Sequence, residues 1–174
     1  PLFVACFNVP GCELGCYHSV FLVRVKDQAR TLADCENYRA AINNTHSNSG
    51  MNVFRAAVAK IASPRIKPSF FTSVSMTGSH LSSMLAISQS EADIAAIDAI
   101  SYHFICNSNP ALASQLRIIG RSVSTMGLPF TAQIQNRQLS AHVFTDVLNQ
   151  ALSATPQLYS TLNLLKFKEV SLED

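Results

Sequence analysis

Charge is scarce in this sequence: 13 Lys and Arg and 11 Asp and Glu make up 14% of 174 residues, and no two basic residues are adjacent. Without a basic patch there is nothing to steer or hold a polyanion, which excludes a nucleic-acid binder. No apolar stretch approaches the ~20 residues needed to span a bilayer. The opening Pro1-Leu2-Phe3-Val4-Ala5 lacks the basic segment and cleavage site of a secretory signal, so an exported protein would carry its address outside this sequence. Five cysteines (Cys6, Cys12, Cys16, Cys35 and Cys106) are an odd number and do not make a full disulfide framework. An oxidising compartment would allow a bridge between two of the first three, whereas a reducing one would leave all five as thiols.

What is present is apolar. Hydrophobic residues reach 48%, which excludes disorder and gives a chain of this length a real core. The surface must then be covered largely by Ser, Thr, Asn and Gln. Val20 to Val25 is a β-branched and aromatic run that reads as a buried strand after the turn-like Gly11 to Gly15. A helical turn at Thr31 to Asp34 leads to a short strand at Arg39 to Ile42. Met51, Phe54, Ala57, Val58 and Ile61 recur at helical spacing, placing a helix start near Ser49 or Gly50. A strand is expected at Phe70 to Val74, followed by a helix with Leu81, Met84, Leu85 and Ser88 on one face. Ile94 to Ile97, bounded by Asp93 and Asp98, has the pattern of a central parallel strand. A helix over Ile100 to Cys106 follows, then strands at Leu116 to Gly120 and Leu128 to Ala132. The last expected helix is capped by Ser140, carries Phe144, Val147, Leu148 and Ala151 on one face, and breaks at Thr155-Pro156 before an apolar tail, Leu162 to Phe167. Alternating strands and helices with short links predict an α/β fold with a mainly parallel sheet.

In such sheets ligands gather at the carboxyl ends of the strands, and two strand-to-helix junctions here are unusually polar. The first is Asn44-Thr45-His46-Ser47-Asn48-Ser49-Gly50. A helix start leaves about four N–H groups unpaired and carries the positive end of the dipole, so it can hold an oxyanion without a lysine. Ser47, Asn48 and Ser49 add side-chain donors, and Gly50 lets an oxygen approach the backbone. The second junction is Thr77-Gly78-Ser79-His80. Asp98, ending the neighbouring strand, would suit a ligand that carries a proton or an amine for it to accept from. Each of these residues has an alternative role as a plain helix cap.

The residues at these junctions resemble a known family, the periplasmic phosphate, phosphite and phosphonate binding proteins of ABC importers. Ser47-Asn48-Ser49-Gly50 is similar to that family's Ser-Thr-Ser-Gly oxyanion loop, with Asn48 for the usual Thr and Asn44 where Asp is common. Thr77-Gly78-Ser79-His80 resembles its Gly-Ser-His segment, and Ala92 to Asp98 the segment whose final Asp closes on the ligand. Tyr17-His18-Ser19-Val20 resembles the Tyr-x-Ser-Val strand that crosses between lobes, and Gly127-Leu128-Pro129 the return.

The resemblance implies a type 2 periplasmic-binding fold with two lobes and mainly parallel sheets. Residues 1–25 would be part of lobe 1 and a crossing strand, 26–115 the oxyanion-binding lobe 2, and 116–174 the return crossing and the rest of lobe 1. Lobe 1 is expected to be incomplete, the chain a shortened form, and its ligand affinity weak when alone. The resemblance further implies ligand contacts from Tyr17, Ser47, Asn48, Ser49, Gly50, Ser79, His80 and Asp98. It implies a small phosphorus oxyanion as ligand, a membrane permease as partner, a periplasmic location, no cofactor, no metal and no catalysis. The alternatives are an enzyme on the same fold, of the thiamine-pyrimidine synthesis type for example, or thiol or metal chemistry at Cys12 to His18 with Cys6. Close soft ligands can hold zinc, but structural sites usually draw on two paired clusters.

Overall fold

The computed structural model describes residues 3–61, 69–131 and 140–170. The chain forms two units, one from Pro1–Tyr17 with Ser124–Asp174 and one from His18–Val123.

The His18–Val123 unit is built on five strands: β3 (Ser19–Arg24), β4 (Arg39–Ile42), β5 (Ser73–Met76), β6 (Ile94–Asp98) and β7 (Leu116–Arg121), numbered after two strands of the other unit, in the order β5-β4-β6-β3-β7. β4 pairs parallel with β5 and β6, while β3 runs antiparallel to both β6 and β7. Four strands therefore point one way and β3 lies against them, so the sheet is mixed. Ser19 to Val23 and Ile94 to Ile97 are buried throughout, as expected for central strands covered on both faces.

The two faces follow the period of two. Phe21, Val23, Ala40, Ile42, Ile94 and Ala96 share one core with Phe54, which lies on α1 (Val53–Ile61). The alternate residues face α2 (His80–Ser88) and α3 (Ala99–Ser108), with Leu22, Met84, Ile87 and Ile97 fully buried. Each such side chain contributes roughly 1.5–3 kcal/mol by leaving water. A short helix α4 (Pro110–Ala113), capped by Asn109, leads into β7.

Two expected features are displaced. The strand predicted from Phe70 begins at Ser73, because Phe70 and Phe71 pack edge-to-face at 5.0 Å and Phe71 lies 5.2 Å from Phe54. Aromatic burial over α1 overrides the β propensity of the pair. The buried face of α2 is Ser83, Met84, Ala86 and Ile87 rather than the Leu81 face, and Leu81 is exposed. Ser83 can turn inward because its hydroxyl pairs with Thr77 Oγ1 at 2.6 Å and reaches the Ser79 carbonyl at 3.2 Å.

An ion cluster ties the strand ends together where β4 and β6 begin. Asp93, just before β6, accepts from Arg39 Nε at 2.9 Å, Arg39 Nη2 at 2.8 Å, the Arg39 backbone N–H at 3.0 Å and Arg24 Nη2 at 2.7 Å. Arg24 also donates to the carbonyls of Ile87 and Ala92.

The other unit holds β1 (Phe3–Phe7) paired antiparallel with β9 (Leu164–Glu169), and β2 (Cys16–Tyr17) paired with β8 (Thr125–Met126). Over the predicted strand Leu128 to Ala132 there is one bridge, Phe3 to Phe130, after β8 has ended, since Pro129 has no N–H for a ladder; Ala132 lies outside the described residues. Phe3 stacks on Phe130 at 4.7 Å and meets Phe167 edge-on at 5.6 Å.

Helix α5 (Ala141–Ala154) packs on β9, and Pro156 opens a further helix, α6 (Pro156–Leu162), rather than ending helical structure. The apolar face predicted for α5 is also turned: Thr145 and Leu152 are buried while Val147 is 55% exposed. Asn149 sets this rotation by accepting from the Phe167 N–H at 2.8 Å and donating to its carbonyl at 3.0 Å. No helix among the described residues is long and apolar enough to cross a membrane.

On the surface of this unit His142 lies between two carboxylates, with Nδ1 2.9 Å from Glu169 and Nε2 3.2 Å from Asp146. The Glu169 hydrogen bond and both negative charges raise its pKa. A raised folded-state pKa means that the contact helps folding fully below the ordinary imidazole value of about 6.5 and ceases to help as pH rises through the higher one. In a proton NMR titration His142 is expected to titrate above that ordinary value, and Glu169→Gln to bring it down; a midpoint unmoved by the substitution would break the assignment.

Candidate functional site

At the sheet end opposite the Asp93 cluster, β4, β5 and β6 finish and β3 begins, and their polar ends converge. Ser47 caps the helix that follows β4: its Oγ accepts from the Gly50 N–H at 3.0 Å, and its carbonyl accepts from Met51 and Asn52 at 3.2 and 3.1 Å. The first turn, Asn48–Asn52, is therefore π-type before α1 begins. With the amides of residues 50 to 52 engaged internally, the donors that this helix start can turn outward come from its first residues and from the Ser47 hydroxyl hydrogen. A hydroxyl can cap with a lone pair and still donate.

Ser49 Oγ lies 3.0 Å from His80 Nε2, which joins the first polar junction directly to the second. Ser79 caps α2, its Oγ accepting from the Ser82 N–H at 3.0 Å and pairing with Ser82 Oγ at 2.8 Å. Asp98 caps α3 through Oδ1, which accepts from the Ser101 N–H at 2.8 Å; its second oxygen has no hydrogen-bond partner among the described residues. Capping thus engages one oxygen of the Asp98 carboxylate and leaves the other for a further contact.

Burial depresses the His80 pKa below its ordinary value, opposed by the negative charge of Asp98, so the ring is neutral near neutrality. None of the side chains that touch one another here is cationic. An anion would rest on helix-start N–H groups, hydroxyls and the helix dipole.

Gly50 is buried, and a Cβ on it would strike the Asn43 carboxamide and sit 3.3 Å from His80 Cε1. The expected role in ligand approach is thus joined by a packing one: the missing side chain makes room for Asn43 and His80. Asn48 is exposed. Tyr17 belongs to the other unit, where it is buried in β2 and paired in register with Thr125.

Two residues were missed as site components. Ser19 is fully buried, stands opposite Asp98 in the β3–β6 register, and donates from Oγ to the Ser49 carbonyl at 2.9 Å. Its backbone N–H is held by Ser122 Oγ at 2.9 Å. A lone hydroxyl at the head of an otherwise apolar buried strand was the available signal. Asn43, at the exit of β4, was hidden in a run that was polar throughout.

Three of the cysteines lack the environment of nucleophiles. Burial pushes the Cys6 and Cys106 thiols up, and burial with Asp27 and Asp34 pushes Cys35 up to about 12, whereas reactive thiols are depressed. Among the described residues no group of three or more His, Cys, Asp or Glu side chains is placed to hold a metal ion.

The family model described as ABC transporter, phosphonate, periplasmic substrate-binding protein matches residues 11–174. No curated protein matches the chain in sequence. Among solved structures, a Xanthomonas citri protein bound to ATP is similar at a TM-score of 0.71 and 19% identity, over 99% of this chain and 66% of that one. A binding-protein component of an ABC phosphonate transporter from Pseudomonas aeruginosa gives 0.70 and 16%, over 97% and 57%. A Prochlorococcus marinus protein in complex with methylphosphonate gives 0.68 and 14%, over 99% and 67%. The likeness establishes an α/β periplasmic-binding-protein fold, and the chain spans about two thirds or less of these relatives' length.

Proposed function

Because the chain belongs to the family of periplasmic phosphonate substrate-binding proteins of ABC transporters, we propose that it is a solute-binding component holding a small phosphorus oxyanion at helix N-termini. The class comprises phosphate, phosphite and phosphonates. In this reading residues 26–115 supply the oxyanion contacts, carried on the sheet of the His18–Val123 unit. The protein works outside the cytoplasm, passes its ligand to a membrane permease and catalyses nothing.

The observation that carries the proposal is the convergence of Ser49, His80 and Asp98 at three strand ends, each at or beside a helix start. Helix-start amides and the Ser47 hydroxyl supply donors for the ionised oxygens, and the second oxygen of Asp98 supplies an acceptor for a protonated one. The solved relatives support this chemistry, since methylphosphonate and ATP both present phosphorus oxyanions.

The test is an NMR titration of the chain with phosphate, phosphite, methylphosphonate and ATP, a method that detects binding even in the millimolar range. Shifts are expected first at Ser47 to Gly50, Ser79, His80 and Asp98. Hydrogen bonds to a charged group are worth about 1.5–3 kcal/mol, so Ser49→Ala should weaken binding roughly ten- to a hundredfold. Equal affinity in the parent and the variant would reduce this serine loop to a helix cap.

A further inference from the structure

Two buried polar atoms in this site have no hydrogen-bond partner among the described residues: Asn43 Oδ1 and His80 Nδ1. Both side chains crowd one point, the space that a Cβ on Gly50 would occupy. A carboxamide oxygen can only accept, whereas each imidazole nitrogen donates or accepts according to tautomer. With the ring proton on Nε2, two bare acceptors are buried near each other, and each keeps its full desolvation cost. With the proton on Nδ1, the ring offers the kind of donor that the Asn43 oxygen lacks.

We propose that Asn43 is a positioning residue that holds His80 in its Nδ1–H tautomer, so that Nε2 accepts the Ser49 hydroxyl proton and Ser49 turns its lone pairs toward the ligand. The 3.0 Å contact between Ser49 Oγ and His80 Nε2 is then donated by the serine. Burial keeps the ring neutral near neutrality, which makes its tautomer a meaningful state.

The consequence is selectivity. A serine whose hydrogen is committed to histidine can only accept from the ligand, so the site favours an oxyanion that carries a proton over one that carries none. A monoprotonated phosphonate meets that demand; sulfate, fully ionised at neutrality, does not. This selectivity rests on the phosphorus-oxyanion reading of the site, while the tautomer does not.

Long-range 1H–15N correlation spectra of the ligand-free chain, labelled with 15N-histidine and recorded near neutrality, read the tautomer directly. His80 is expected to carry its proton on Nδ1. Asn43→Leu, which removes the acceptor, should move it to Nε2, and Asn43→Asp, which keeps one, should leave it in place. An Nε2–H ring in the unaltered chain, or a tautomer indifferent to Asn43→Leu, overturns the assignment, and the first of these outcomes needs no variant to fold.

The same samples are then titrated with methylphosphonate and with sulfate. Methylphosphonate should bind more tightly by about tenfold or more, and Asn43→Leu should narrow that preference. Equal affinity for the two anions overturns the selectivity. If neither anion shifts the spectra, the oxyanion reading itself falls, and the tautomer spectra still decide the role of Asn43.

Discussion

Asp93→Ala should cost the chain about 2–4 kcal/mol of folding stability, read as a lower midpoint in urea unfolding. The carboxylate collects four hydrogen bonds from Arg39 and Arg24 and joins the starts of β4 and β6. Arg39 is 44% exposed on its side chain, so water replaces most of what it loses. Arg24 is more enclosed, at 26%, and would be left facing the Ile87 and Ala92 carbonyls and the more distant Asp27 carboxylate at 4.0 Å. That poorly compensated charge is the larger part of the expected loss.

The pH dependence follows from the same contacts. Hydrogen bonds from Arg39, reinforced by Arg24, hold the Asp93 carboxyl well below the usual carboxylate range. A depressed folded-state pKa gives stability that is present above the unfolded value of about 3.9 and is lost as pH falls through the folded one. Parent and Asp93→Ala should therefore differ most near neutrality and converge in strong acid. A constant gap across that range would remove the ion cluster as the cause.

Gly50→Ala is expected to damage both stability and ligand binding. Overpacking of this kind costs typically 1–3 kcal/mol, and here the added methyl meets the Asn43 carboxamide and then the His80 ring. Neither neighbour is the free end of a long exposed side chain. Asn43 lies at the exit of β4, and His80 is held by Ser49. Displacing them disturbs the Ser49–His80 contact, so methylphosphonate affinity should fall roughly a hundredfold, the equivalent of about 2.7 kcal/mol. A double variant, Asn43→Ala with Gly50→Ala, makes room for the methyl group. It should recover much of the stability without recovering the affinity. Recovery of neither in thermal melts and titrations would show that the collision is not with Asn43.

Much of this site was legible in the chain because its parts are local. A helix start needs a cap, and Ser47, Ser79 and Asp98 each stand where a cap belongs, at or a few residues beyond the end of a strand. The edges of β4 and of Asp98-ended β6 were equally clear, since β-branched and small apolar runs bounded by polar residues have few other uses. Where local signals failed, a distant partner had intervened. Phe70 and Phe71 look like strand residues until Phe54 gives them an aromatic surface to cover. Leu81 looks buried until Thr77 satisfies the Ser83 hydroxyl and lets α2 turn. Val147 looks buried until Asn149 reaches the backbone of Phe167.

The sequence by itself determined the alternation of strands and helices, the polar character of each strand-to-helix junction, and the residues that cap them, because backbone donors at a helix start must be met within a few positions along the chain. Only the tertiary structure decided which junctions meet. Ser49 and His80 are 31 positions apart, and Ser19 reaches Ser49 across 30. Sheet order brings them together by placing β3 against β6 with Ser19 opposite Asp98. The crowding of Asn43 and His80 around Gly50 belongs to the same level. It depends on the volume one glycine leaves empty, a quantity set by what packs around it rather than by its neighbours in the chain.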